Sequence, residues 1–288
     1  MQNFAGKVAV ITGAASGIGK GLAEKCVREG MRVVLADFEE QALQQTVTEL
    51  RAFGEQAILP VIINVAKEDQ VLDLASQTIA EFGAVDFLFN NAGVGVNKPI
   101  WEFTHADWEW VLSVNLWGVI NGIHAFLPLM LKQEQGGHII NTSSVSGLTS
   151  APYMAPYNIT KHGIVTLSET LYIDLQVAGY KHIKVSVLCP GFVNTRAYDA
   201  ERNRPAEWQN PSREIAPEEV QRYEMGRKAL EGGMAPSEVA DKTFAAIKDE
   251  KFYILTHPHF NPVIQMRMED ILLGRNPMSA RPQGRPSN

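Results

Sequence analysis

Tyr157 and Lys161, in the run Tyr157-Asn158-Ile159-Thr160-Lys161, are the residues whose types and spacing most directly suggest chemistry. On a helix, positions i and i+4 share one face, so phenol and amine meet. A phenol alone is a poor base at neutral pH, with a reference pKa of about 10. An ammonium within about 4–6 Å favours the phenolate and lowers that value by roughly 1–3 units. The pair then suits general acid–base work. Such pairs recur on ordinary helices, so the weight falls on what surrounds this one. Thr142-Ser143-Ser144-Val145-Ser146-Gly147 follows an apolar run, and Ser144 precedes Tyr157 by 13 residues. A hydroxyl at the C-terminal end of a strand can donate to a carbonyl oxygen as charge develops on it.

A second constellation sits near the N-terminus. Thr12-Gly13-Ala14-Ala15-Ser16-Gly17-Ile18-Gly19 separates an apolar run from a helical pattern. Glycines in that place let the backbone approach a pyrophosphate, and the following helix N-terminus faces its charge. Asp37 ends the next apolar run, 18 residues after Gly19. An acid there accepts hydrogen bonds from ribose hydroxyls and repels a 2′-phosphate. Its neighbours Ala36 and Phe38 are uncharged, as is Ser16, so NAD is expected over NADP.

The elements that must carry these residues follow from periodicity. Short apolar runs at 7–12, 32–36, 57–65, 85–89, 138–142, 184–188 and 252–255 read as strands. Helical patterns fill 18–29, 39–53, 67–82, 156–178 and 237–248, the first three followed by Gly30, Gly54 and Gly83 as C-terminal stops. Thr104 and Asp107 have capping-box spacing and open a long helix to about Lys132, with Pro128 marking a kink or break near its end. Pro156 suits a first helical turn. This alternation predicts an α/β fold: a single-domain, doubly wound Rossmann sheet of about seven parallel strands with helices on both faces. The domain is expected over 1–274, with a mobile excursion at 196–235 rich in proline and charge, and a frayed tail at 275–288.

Taken together, these motifs resemble the short-chain dehydrogenase/reductase family in its compact single-domain branch. The matches are the glycine motif, Asn90-Asn91-Ala92-Gly93, Asn115, Ser144, Tyr157, Lys161 and the run from Pro190 through Gly191 to Thr195. They occur in the family's order and cover about residues 5 to 255. The resemblance implies an oxidoreductase passing hydride between NAD(H) and a secondary alcohol or a ketone or aldehyde. Tyr157 would exchange the proton, Lys161 would lower its pKa and bond the nicotinamide ribose, Ser144 would orient the substrate oxygen, and Asn115 would hold a water. Gly13, Ser16, Gly17, Ile18, Gly19, Asp37, Asn64, Val65, Asn91, Ala92, Gly93, Tyr157, Lys161, Pro190, Gly191, Val193 and Thr195 would contact the dinucleotide. Where the family often has Asp-Val after the third strand, this chain has Asn64-Val65, whose amide oxygen still accepts a hydrogen bond. The pocket would be bounded by Ser146, Leu148, Tyr153, Phe192 and the excursion, with Met154, Tyr198 and Trp208 adding apolar lining and Arg196, Arg202 and Arg204 nearby. The family's helix pairing implies a homo-oligomer, a dimer or tetramer, and Trp101, Trp108 and Trp110 lie around the start of that helix.

Composition excludes other classes. With 288 residues, 45% apolar and a formal net charge of -6, the chain has no basic face for nucleic acid. Cys26 and Cys189 are too few and too isolated for a disulfide framework or a zinc site, so a reducing compartment and no metal are expected. The short N-terminal apolar run and the lack of a span of about 20 apolar residues point to the cytoplasm, with no membrane. Two rivals are a catalytically silent dinucleotide-binding sensor with the same fold and an extended-branch nucleotide-sugar epimerase. The first should have lost Tyr157, Lys161 or Ser144; the second spaces its glycines differently and carries a larger C-terminal domain.

Overall fold

Alternate side chains of one central strand enter two different hydrophobic layers, and this organises the molecule. The computed structural model describes residues 3–54, 57–211 and 216–277. Strand β1 (Val8–Thr12) is buried along its whole length. Ala9 and Ile11 pack among α1 (Gly17–Arg28), α2 (Glu40–Leu50) and α8 (Pro236–Lys248). Val8 and Val10 pack on the opposite side, among α3 (Glu68–Phe82), α5 (Gly118–Met130) and α6 (Ala155–Val177). A strand covered on both faces has no polar side to show, which is why its sequence reads as an unbroken apolar run.

The other strands are β2 (Arg32–Asp37), β3 (Ile58–Ile62), β4 (Phe87–Asn90), β5 (Gly137–Thr142), β6 (Ile183–Cys189) and β7 (Tyr253–Leu255). They form one sheet in the order β3-β2-β1-β4-β5-β6-β7. Every pairing is parallel. The seven-stranded doubly wound sheet expected from the alternation is the one found. The remaining helices are α4 (His105–Leu112), α7 (Pro217–Glu231) and α9 (Asn261–Leu272).

Local signals decide most element ends. Gly30 and Gly83 take the left-handed conformation at φ 77° and 74°. Gly54 does not: its φ is 173°, plain extended backbone, and α2 stops at Leu50 before a 3-10 turn over Arg51–Phe53. Strand β3 is shorter than the 57–65 expected, because Asn64 turns the chain: its Oδ1 accepts from Ala66 N at 3.0 Å and its backbone oxygen from Lys67 N at 2.9 Å. The capping box is formed, with Thr104 Oγ1 accepting from Asp107 N at 3.2 Å and Asp107 Oδ2 from Thr104 N at 3.0 Å.

The expected long helix carries an interruption that its periodicity conceals. Between α4 and α5 the backbone widens into a π turn, Ser113–Trp117. Helix α5 passes through Pro128 and stops two residues later. His105–Met130 is long and apolar enough, at mean hydropathy 1.3, to match a membrane span by length and composition, more nearly than the sequence reading allowed. Half of its most apolar stretch is buried within the protein.

The excursion contains 3-10 turns at Ala197–Asn203 and Ala206–Trp208, then α7. Its residues 212–215 lie outside the described residues, as do 278–288 of the expected tail.

Candidate active site

The strand order reverses between β1 and β4, so their crossovers leave in opposite directions and a crevice opens at the strands' C-terminal ends. A cavity of about 1210 Å³ occupies it. Ser144, Tyr157, Lys161 and every expected dinucleotide contact except Gly19 line this cavity; Asn115 does not.

The glycine turn has the shape of an anion cradle. Gly13 and Gly17 have φ of 67° and 54°, which side chains rarely adopt. Gly19 packs on the turn itself: a Cβ there would lie 2.0 Å from Gly13 O. Helix α1 begins with no side-chain cap and no acid in its first turn. The first N–H groups of a helix have no intrahelical partners, and the first residues of α1, Gly17 and Ile18, line the cavity. This fits a dinucleotide pyrophosphate.

At the far end of the cradle, Asp37 Oδ2 accepts from Ala15 N at 2.8 Å and Oδ1 from Glu39 N at 2.9 Å. Burial raises its pKa, outweighing these amide bonds. Sequence reading found no cation beside Asp37, but the excursion brings one close. Arg202 grips Glu39 with Nη2 at 2.7 Å and Nε at 3.2 Å, and Asn203 Nδ2 adds a bond of 2.9 Å. Burial opposes ionisation of Glu39, but Arg202 and Asn203 outweigh it and hold its carboxyl below the usual range.

The strand-end asparagine motif serves first to join strands. Thr12 Oγ1 accepts from Asn91 N at 2.9 Å and Ala92 N at 3.1 Å, and Asn91 Nδ2 donates to Thr12 O at 3.1 Å. Asn115, on the π turn, accepts from Val94 N at 2.7 Å and donates to Val94 O at 2.9 Å. It therefore braces the loop after β4. A π turn at such a place often marks a functional site.

Ser144, Tyr157 and Lys161 lie where β5 meets α6. The Ser144 hydroxyl lies beside the Tyr157 phenol in the cavity wall and opposes the effect of burial on it. It also accepts from Ser146 N at 3.1 Å and donates to Pro190 O at 3.3 Å. Lys161 Nζ donates to Thr142 O at 2.9 Å and lies 5.4 Å from the Tyr157 ring centroid. Burial pushes the amine down to about 8. Burial also raises the Tyr157 phenol, with Ser144 pulling the other way. The depression of the phenol expected from the lysine is thus not the prevailing effect here: desolvation wins and favours the neutral phenol. Ser143 Oγ donates to Lys161 O at 2.7 Å, which anchors α6 instead of facing a substrate.

The cavity wall next to these groups includes Val94, Val96, Trp110, Val114, Met154, Phe192, Tyr198, Tyr223 and Phe260. Three expected lining residues are elsewhere. Leu148 packs with Ile164 and Val187. Trp208 packs with Val96, Trp110 and Val111. Tyr153, at φ 66°, is 45% exposed beneath the Arg222 guanidinium. Of the three tryptophans near the long helix, Trp110 is core and Trp101 is 80% exposed.

A buried ionic cluster closes this end. Asp107, fully buried, accepts from Lys98 Nζ at 2.8 Å, Arg204 Nη2 at 2.9 Å and Asn210 Nδ2 at 2.8 Å. Arg204 lies over the Trp110 ring at 4.1 Å and binds Glu201 as well. Burial opposes ionisation of Asp107, but Lys98, the Thr104 amide and Asn210 overcome it and lower its pKa.

Comparison with known proteins gives matching results. The family model described as short chain dehydrogenase matches residues 7–206. A short-chain dehydrogenase/reductase from Burkholderia phymatum, crystallised in complex with NAD, is 44% identical, with coverage of 98% of this chain and 100% of that one and a TM-score of 0.94. A CLA biosynthesis dehydrogenase/reductase of Lactiplantibacillus plantarum is 35% identical over 94% of this chain and 95% of its own length. A C alpha-dehydrogenase of Sphingobium sp. is 30% identical over 99% and 91%.

Proposed function

This chain belongs to the short-chain dehydrogenase/reductase family, and from that premise we propose that it interconverts a neutral, largely apolar secondary alcohol and its ketone, using NAD(H) in preference to NADP(H). The observation that carries the reading is the meeting of Ser144, Tyr157 and Lys161 in one cavity with the glycine cradle. Bound there, a nicotinamide ring supplies or accepts the hydride. Tyr157 hands its phenolic proton to the substrate oxygen in reduction and takes it back in oxidation. Ser144 hydrogen-bonds that oxygen and fixes its place. Lys161, cationic below its pKa of about 8, stabilises the phenolate left behind. Asn115 contributes by fixing the Val94 backbone.

The NAD preference rests on Asp37 and on the engagement of Arg202 by Glu39, which leaves that cation paired with an acid. The neutral substrate rests on the wall. Its described cations Lys98, Arg196 and Arg202 have acid partners in Asp107, Asp199 and Glu39, while Lys161 is held by Thr142 O. The exposed Trp101 and Trp117 offer apolar area for a homo-oligomer, which we take to be a dimer or tetramer. Two buried free cysteines accord with a cytoplasmic setting. The test is a panel of secondary alcohols and ketones with either coenzyme, read by nicotinamide absorbance. Neutral apolar compounds with NAD(H) should give the highest kcat/KM; a clear preference for NADP(H) or for hydroxy acids would overturn those parts of the reading.

A further inference from the structure

The loop after β6, Pro190-Gly191-Phe192-Val193, forms part of the cavity wall; Val145 N and Met234 N donate to Pro190 O and Phe192 O at 2.9 and 3.0 Å, and a residue from the far end of the chain holds the Gly191–Phe192 corner between them. His257, just beyond β7, meets it with both ring nitrogens. Nδ1 lies 3.0 Å from Gly191 N and Nε2 lies 2.9 Å from Phe192 O. A backbone amide only donates, so the Nδ1 facing it carries no proton. A carbonyl only accepts, so Nε2 carries the proton and donates. The Thr256 hydroxyl, 2.8 Å from Nδ1, therefore donates to the same lone pair. His257 as a whole is 5% exposed. Phe260 packs on it at 6.4 Å between ring centroids, and a Cβ on Gly191 would come within 3.0 Å of His257 Cγ and 2.6 Å of Phe260 Cε2. Close packing and two directional bonds thus specify one ring orientation and one tautomer.

We propose that His257 is a positioning residue, which in its neutral Nε2–H form holds the loop 190–193 in the shape that seats the nicotinamide end of the dinucleotide. The proposal rests on the dinucleotide reading above. Protonation of Nδ1 would set two N–H donors against each other across the Gly191 contact and release the loop. The groups facing the ring give the sign of the effect. Burial is the largest and lowers the histidine pKa; the Phe192 carbonyl raises it; His259 on the same turn and Lys242 on α8 lower it, while Glu238 on α8 raises it. The neutral form therefore persists below the ordinary histidine value of about 6.5, and the loop is released only as pH falls further.

The test compares wild type with His257→Gln and His257→Phe. Glutamine keeps one acceptor and one donor but cannot titrate; phenylalanine keeps the packing and loses both bonds. NADH binding is followed by fluorescence without substrate from pH 5 to 7.5. Wild-type affinity should weaken toward pH 5, and His257→Gln should remove that dependence while binding NADH at pH 7.5 almost as well as wild type. His257→Phe should bind about tenfold more weakly at pH 7.5. Ring nitrogen NMR of the protein without dinucleotide should report the Nε2–H tautomer. An Nδ1–H tautomer, or an acid dependence unchanged in His257→Gln, would overturn the proposal even if His257→Phe failed to fold. Wild type that binds no NADH at any pH would instead defeat the dinucleotide reading itself.

Discussion

At the residue scale, the two groups at i and i+4 on α6 have different tasks and different protonation tendencies. The neutral phenol favoured by burial is the form needed to protonate a ketone, and the amine, pushed down to about 8, is still mostly cationic at neutral pH and loses its charge as pH rises through that value. Replacing Tyr157 with Phe removes the proton and leaves the cradle untouched. Turnover of Tyr157→Phe should drop by about 10²–10⁴-fold, while NADH titrates the variant with nearly wild-type affinity. Turnover within a few-fold of wild type would move the acid–base role to another group. The tyrosine, lysine and serine were legible because their spacing is a local property of one helix and the turn before it. The bracing by Asn115 was not: its partner Val94 lies 21 residues away, and no local pattern reports a side chain bonded to a remote backbone.

At the scale of elements, the strands could be read from β-branched runs because burial on both faces removes every polar position. The π turn at Ser113–Trp117 escaped notice because one widened turn hardly alters an apolar helical pattern. The excursion escaped more thoroughly. Its composition suggested a mobile loop, whereas Arg202 and Arg204 tie it to partners 163 and 97 residues away. The second tie has a measurable consequence. Arg204 binds two acids, buried Asp107 and Glu201, whose side chain is 60% exposed. Asp107→Ala leaves Lys98 and Arg204 without their common buried partner and should cost about 3–5 kcal/mol in urea denaturation. Glu201→Gln, on the solvent side, should cost less than about 1 kcal/mol. Equal losses would mean that Asp107 is not the anchor of the excursion.

At the scale of the whole molecule, a buried histidine sets the response to acid. His138 on β5 is 2% exposed, with Nε2 2.8 Å from Ser186 Oγ, and burial pushes its pKa down to about 3. Above about pH 6.5 the ring is neutral in folded and unfolded chains alike, and it has no pH-dependent effect. Below that value the unfolded chain binds a proton that the folded one refuses, so stability falls with decreasing pH down to about 3. His138→Gln should flatten this limb in thermal melts between pH 7 and pH 4; an unchanged slope would assign it to other groups. The topology also leaves one ribbon, 197–210, tied near Asp37 through the Arg202–Glu39 pair and beside Trp110 through Arg204. If that ribbon moves as one body, binding at one end of the cleft is coupled to binding at the other. Turnover should be strictly sequential, with coenzyme first to arrive and last to depart. Product inhibition should show NADH competing with NAD, while the ketone does not compete with the alcohol.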